Sequence, residues 1–168
     1  VEEATAIQRR TFAVVNDANE LLSSVKDVET SSRGFVLTGN ENFLEPYLAV
    51  RDSIPIRLTT LRGHSVDSAS AAHLDLLAPL IAAKLALVTN VIEERRRQDV
   101  SGAEAIIRSG RGQQLMDSIR AEVQGFVALQ EVELTRRSSQ YSAELRRLFT
   151  AIVVASLLAL LYAVAFAY

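Results

Sequence analysis

Ile7-Gln8-Arg9-Arg10-Thr11-Phe12-Ala13-Val14-Val15-Asn16-Asp17-Ala18-Asn19-Glu20-Leu21-Leu22-Ser23-Ser24-Val25-Lys26-Asp27-Val28-Glu29-Thr30-Ser31-Ser32-Arg33-Gly34-Phe35 carries a heptad seam. Ile7, Thr11, Val14, Ala18, Leu21, Val25, Val28, Ser32 and Phe35 alternate spacings of four and three residues. That is the a/d pattern of a helix packed lengthwise on partners. Val15, Leu22 and Val36 widen the stripe beyond a two-stranded seam, which favours a bundle. The expected helix runs from about Glu3 to Leu37, roughly 50 Å at the standard rise. Gly39 is placed to end it in a left-handed conformation.

Three more helices follow. Asn42 with Glu45 reads as a capping box, and Phe43, Leu44, Tyr47, Leu48, Ile54, Leu58 and Leu61 recur at helical spacing. Pro46 falls in the first turn, Pro55 should kink or break the helix, and Gly63 should close it. A third helix starts near Asp67 or Ser70, with Leu74, Leu77, Ile81, Leu85, Val88 and Ile92 as its stripe and Pro79 as a second kink point. It fades into the charge run Glu93–Arg97. A fourth opens on Ser101 and Glu104, again a capping-box spacing, and is interrupted over Arg108–Gly112. Leu115, Met116, Ile119, Val123, Phe126, Gln130, Glu133, Arg137 and Tyr141 then continue a helical stripe. From Gln113 to Tyr168 there is no proline, so one helix of more than 50 residues is expected.

The last part of that helix has no charge. Leu148–Tyr168 is an uninterrupted run of apolar and small residues. About 20 such residues cross a hydrocarbon core of about 30 Å, so contact with membrane lipid is expected through 148–168. Arg146 and Arg147 stand at its entrance. The expected architecture is all-α: an elongated four-helix bundle over 1–147 whose long last helix continues into a transmembrane helix over 148–168.

Composition narrows the function. A net charge of -2 gives no electrostatic footprint for nucleic acid. Zero cysteines exclude disulfides, thiol catalysis and cysteine-ligated metals. His64 is expected in a loop and His73 near a helix start; neither has a metal-ligand spacing, so no metal and no cofactor is expected. No serine sits in a nucleophile context, so the chain itself is not read as an enzyme.

Two stretches stand apart from the heptads. One is Asp27-x-Glu29-Thr30-x-x-Arg33-Gly34-Phe35-x-Leu37-Thr38-Gly39 followed by Phe43-Leu44-Glu45-Pro46-Tyr47. The other is Ile107-Arg108-Ser109-Gly110-Arg111-Gly112-x-x-Leu115-Met116-Asp117-x-Ile119-Arg120. Together they resemble the third type of CHASE domain (cyclase/histidine-kinase-associated sensory extracellular), over roughly Val1 to Tyr141. Phe35 stands where that family often has Tyr. The resemblance implies a helical sensor set between two transmembrane helices of a bacterial receptor, the first of them before Val1. It implies a periplasmic or exterior bundle on the cell membrane and an output such as a histidine kinase, a diguanylate cyclase or a chemoreceptor.

Read as chemistry, the motif residues allow two roles. Glu29 and Arg33 form an i,i+4 pair, Gly34 leaves room for a close neighbour, and Phe35, Phe43 and Tyr47 close the core end. Alternatively Arg33 binds an anionic group in a polar pocket. Arg108 and Arg111 around Ser109-Gly110 invite an anion too, although the glycines also serve simply to let the chain jog. Glu29, Arg33, Gly34, Phe35, Tyr47, Arg108, Arg111 and Asp117 are thus the candidate ligand or motif residues. The seam through Gln130, Glu133, Arg137 and Ser142 is polar and points to a homodimer. The stimulus is a small molecule or a protein. A passive membrane anchor or oligomerisation spacer is the competing reading.

Overall fold

A computed structural model describes the backbone of residues 2–64 and 67–167, and their side chains except at 2–4, 7, 134, 137–148, 151, 155 and 157–168. Helix α1 spans Glu2–Thr38, α2 Glu45–Val50, α3 Ser53–His64, α4 Ser68–Arg96, α5 Val100–Arg108 and α6 Arg111–Ala167, with a 3-10 turn at Glu41–Leu44. No strand occurs among the described residues. Helices α1 and α4 pack on each other and both touch α3 and α6, while α3 and α6 do not meet among the described residues. The chain therefore goes up through α1, down through α2 and α3, up through α4 and down through α6. Helix α5 sits on the distal end, packed on α4.

The α1 seam is the core. Val14, Ala18, Leu21, Val25, Val28, Ser32 and Phe35 are buried, and Thr11 is half-buried. Ile7 lies outside the described side chains, as do Arg137, Tyr141, Ser142 and the Arg146-Arg147 pair. Opposite α1 stand Leu74, Leu77, Ile81 and Val88 of α4 and Met116, Ile119, Val123 and Phe126 of α6. Phe43 and Leu48, expected on the buried stripe of the second helix, are exposed.

Helix ends follow local chemistry, in several places differently from the sequence expectation. Gly39 takes φ 70° and its N–H returns to the Phe35 carbonyl at 2.7 Å, as anticipated. The cap before the 3-10 turn is Asn40, which accepts from the Asn42 N–H at 3.0 Å, so the box expected at Asn42 does not form. Asp99 likewise replaces Ser101 as the cap of α5: its Oδ1 accepts the Gly102 N–H and the Ser101 hydroxyl, both at 2.8 Å. In each case an Asx side chain two residues earlier starts the helix sooner, leaving the expected cap inside the first turn.

Prolines act by position. The second helix ends at Val50 and restarts at Ser53, so Pro55 falls in the first turn of α3, where its missing N–H is harmless. Pro79 lies inside α4, which continues through it. Pro79 is exposed, between buried Leu77 and Ile81, so its ring stands on the outer face of the helix. Gly63 lies in the last turn of α3, at the helix end expected for it, and the helix runs on to His64, which is therefore not in the loop expected for it.

Helix α6 has 57 residues. Among its described side chains the last fully buried one is Phe126, and the described ones beyond it are half-buried or exposed. In its apolar end Phe149, Ile152, Val153 and Val154 are exposed, while most of the expected span lies outside the described side chains. Among the described residues, α4 is the helix long and apolar enough to cross a membrane, with a mean hydropathy of 1.7. Its apolar stripe is occupied by the bundle core, which accounts for that hydropathy without a bilayer.

Candidate functional site

One buried charge organises the upper half of the bundle. Lys84 stands in the α4 seam, one turn from Ile81 and Val88, and is 1% exposed. Its ammonium donates to Glu29 Oε2 at 2.9 Å and to the Gly112 carbonyl at 2.8 Å. Glu29 Oε1 also holds Arg33 Nη2 at 2.7 Å, completing the i,i+4 pair read from sequence. A single carboxylate thus bridges a buried and a half-exposed cation, and one lysine ties α1, α4 and the first turn of α6 together. Burying an ammonium is tolerated only with such partners. A side chain at position 112 would press on this contact, since a Cβ there would meet Leu87 at 3.3 Å and the Lys84 ammonium at 3.4 Å.

A cavity of about 60 Å³ lies against Lys84, lined also by Glu29, Ser32, Arg33, Ile107 and Gly112. A shallower, mainly apolar groove of about 410 Å³ adjoins it, lined by Arg33, Val36, Leu37, Glu104, Ile107 and Arg108. Arg33 and Ile107 belong to both. The anticipated residues separate accordingly. Glu29, Arg33 and Arg108 gather at this junction, Arg108 paired with Glu104 on the rim. Gly34 allows Phe43 to lie across α1, because a Cβ there would be 2.5 Å from the Phe43 ring. Phe35 and Tyr47 are core, the Tyr47 hydroxyl 3.3 Å from Thr89 Oγ1. Arg111 is exposed at the start of α6, and Asp117 pairs with Arg120 at 2.7 Å on its outer face.

Two further polar ties join α4 to α6 lower down. His73 Nδ1 lies 2.6 Å from Glu122 Oε2, its ring over Gly125. Gln130 donates to the buried Ser70 hydroxyl at 2.8 Å, and the Ser70 N–H is accepted by Asp67 Oδ1 at 2.7 Å. Hydrogen bonds from the Ser70 side chain and backbone hold Asp67 below its ordinary carboxylate value, and the Gly102 N–H and Ser101 hydroxyl do the same for Asp99. The Arg96 guanidinium lowers Glu41 likewise. Depressed carboxylates stabilise the fold above their unfolded pKa, about 4, and that contribution is lost as pH falls through the folded value. Thermal midpoints should therefore fall steadily below about pH 4. Asp67→Asn, which keeps a capping side chain, should shrink that fall. A midpoint flat or rising on acidification would contradict this.

The described structure is an antiparallel helical bundle prolonged well beyond its own core by one of its helices. The CHASE3 domain model matches residues 4–140, so the chain belongs to the CHASE3 domain family. The crystal structure of the sensor domain of the Rhodopseudomonas palustris histidine kinase HK9 superposes with a TM-score of 0.67 at 26% identity, covering 74% of this chain and 98% of that one. No curated protein matches the chain. Family and neighbour agree on a sensor role for the bundle. The family match stops at 140, before the apolar run begins.

Proposed function

We propose that this chain is the extracytoplasmic sensor domain of a bacterial transmembrane receptor, a two-component sensor histidine kinase, and that α6 relays the stimulus into the membrane. The observation that carries the reading is the continuity of α6. The same helix begins at the Lys84 contact and runs for 57 residues, with exposed apolar side chains at Phe149, Ile152, Val153 and Val154. A rigid rod fixed at one end to a buried charge cluster moves as a unit when that cluster rearranges. In this reading 1–147 is the bundle, facing the periplasm, and 148–168 is the span in the inner membrane. The histidine-kinase sensor from R. palustris supports the kinase assignment by likeness.

The receptor works as a homodimer in this proposal. Below the core, Phe12 of α1 is 60% exposed and Val132 of α6 is 65% exposed. A second copy would cover them. Cysteines placed one at a time at the exposed positions Ala128, Glu131 and Val132 and cross-linked across the dimer test the relay. Kinase output should rise at some positions and fall at others, because each link fixes a different rotation of the rods. Equal output at every position would leave a passive anchor.

A further inference from the structure

The cavity against Lys84 is chemically unbalanced. The Lys84 ammonium carries three N–H groups, and its hydrogen bonds to Glu29 and Gly112 use two. Arg33 engages Glu29 through one nitrogen, and its side chain is 54% exposed. Two cations thus share one carboxylate at the cavity wall, leaving one positive charge over. The volume, about 60 Å³, exceeds the roughly 10–15 Å³ that a lone water needs. The adjoining groove is walled by Val36, Leu37 and Ile107.

We propose that this junction binds a small aliphatic monocarboxylate. Its carboxylate takes the third Lys84 N–H and a free N–H of Arg33, and its alkyl chain lies along Val36 and Ile107 in the groove. A dianion fits less well, because Glu29 stands at the same wall and only one positive charge is in excess. The bound carboxylate draws on the same Lys84 ammonium that holds the Gly112 carbonyl, so it acts on the first turn of α6. That consequence rests on the sensor reading above, whereas binding itself does not.

The test is calorimetric titration of the full chain in lipid nanodiscs with acetate, butyrate, butyramide and inorganic phosphate. Butyrate should bind saturably and more tightly than acetate, because its chain reaches the groove. Butyramide, of the same shape without the charge, should not bind. Arg33→Gln changes a half-exposed residue and should leave the fold intact while weakening butyrate at least about tenfold, the loss of one charge-assisted hydrogen bond. Ile107→Trp, which fills the groove, should weaken butyrate and spare acetate. No saturable butyrate binding, equal binding by Arg33→Gln, or tighter binding of phosphate than of butyrate would each overturn the proposal. Those outcomes leave the cross-linking result untouched, so the two readings fail separately.

Discussion

Glu29→Ala is expected to destabilise the bundle by about 3–5 kcal/mol, the range for removing one partner of a buried ion pair. The reason is what it leaves behind. Lys84, 1% exposed, would keep a full charge in the core with only the Gly112 carbonyl to accept from it. Lys84→Met is expected to behave differently. A methionine fits the seam between Ile81 and Val88, and the Glu29 left over is 18% exposed and still holds Arg33. Replacing a buried ionic group by a hydrophobe of similar volume is often neutral or stabilising, so the change should stay within about 1 kcal/mol. Combining both substitutions should restore most of what Glu29→Ala removes, and a double-mutant cycle in urea unfolding measures that coupling. Arg33→Gln serves as the reference, since an exposed pair is worth about 0–1 kcal/mol. A Glu29→Ala loss no larger than that of Arg33→Gln would mean that Lys84 does not depend on its carboxylate.

Most of the fold was legible because its signals are periodic or local. The α1 seam needed only spacing, and every described member from Val14 to Phe35 is buried. The stop at Gly39, the jog at Ser109-Gly110 and the single long helix after it needed only glycine positions and the absence of proline. The misplaced caps show the limit of local signals. Ser101 with Glu104 and Asn42 with Glu45 have the right spacing, but Asp99 and Asn40 lie upstream and take the amides first. At Asp99 the chain arrives through Gln98 at φ 64°, a left-handed residue that sets the new helix start. Phe43 looked like core by spacing and instead covers Gly34 from the surface, because the 3-10 turn rotates it out of the helical register.

The site was half legible. Glu29 and Arg33 are neighbours along one helix, so their pairing follows from the i,i+4 rule. Lys84 was missed because its partners lie 55 and 28 residues away in sequence. A signal was present all the same. Stepping from Leu74 by strict alternation of three and four gives Leu77, Ile81, Lys84, Val88 and Val91, all buried. Reading Leu85 into that line skipped the one residue that broke the apolar pattern. A lysine at a seam position is costly for stability and specifies register or a site, so it was the residue to question.

Val132→Pro should uncouple the bundle from its output while leaving the bundle folded. Position 132 is exposed and lies beyond Phe126, the last fully buried residue among the described side chains of α6, so no contact of the described core is lost. Proline there removes the N–H bond to the Ala128 carbonyl and presses its ring on that carbonyl, costing the helix locally about 3 kcal/mol. The thermal midpoint of the bundle should change little, and Val132→Ala, which trims the same side chain but keeps the helix, should leave the coupling in place. The decisive measurement is autophosphorylation of a histidine-kinase module joined after Tyr168, compared among Lys84→Met, Val132→Pro and the double variant. Lys84→Met releases the start of α6 and should shift the output in the intact rod, and Val132→Pro should abolish that shift. A shift that persists through the proline, or a Lys84→Met variant with unchanged output, would contradict a relay through α6.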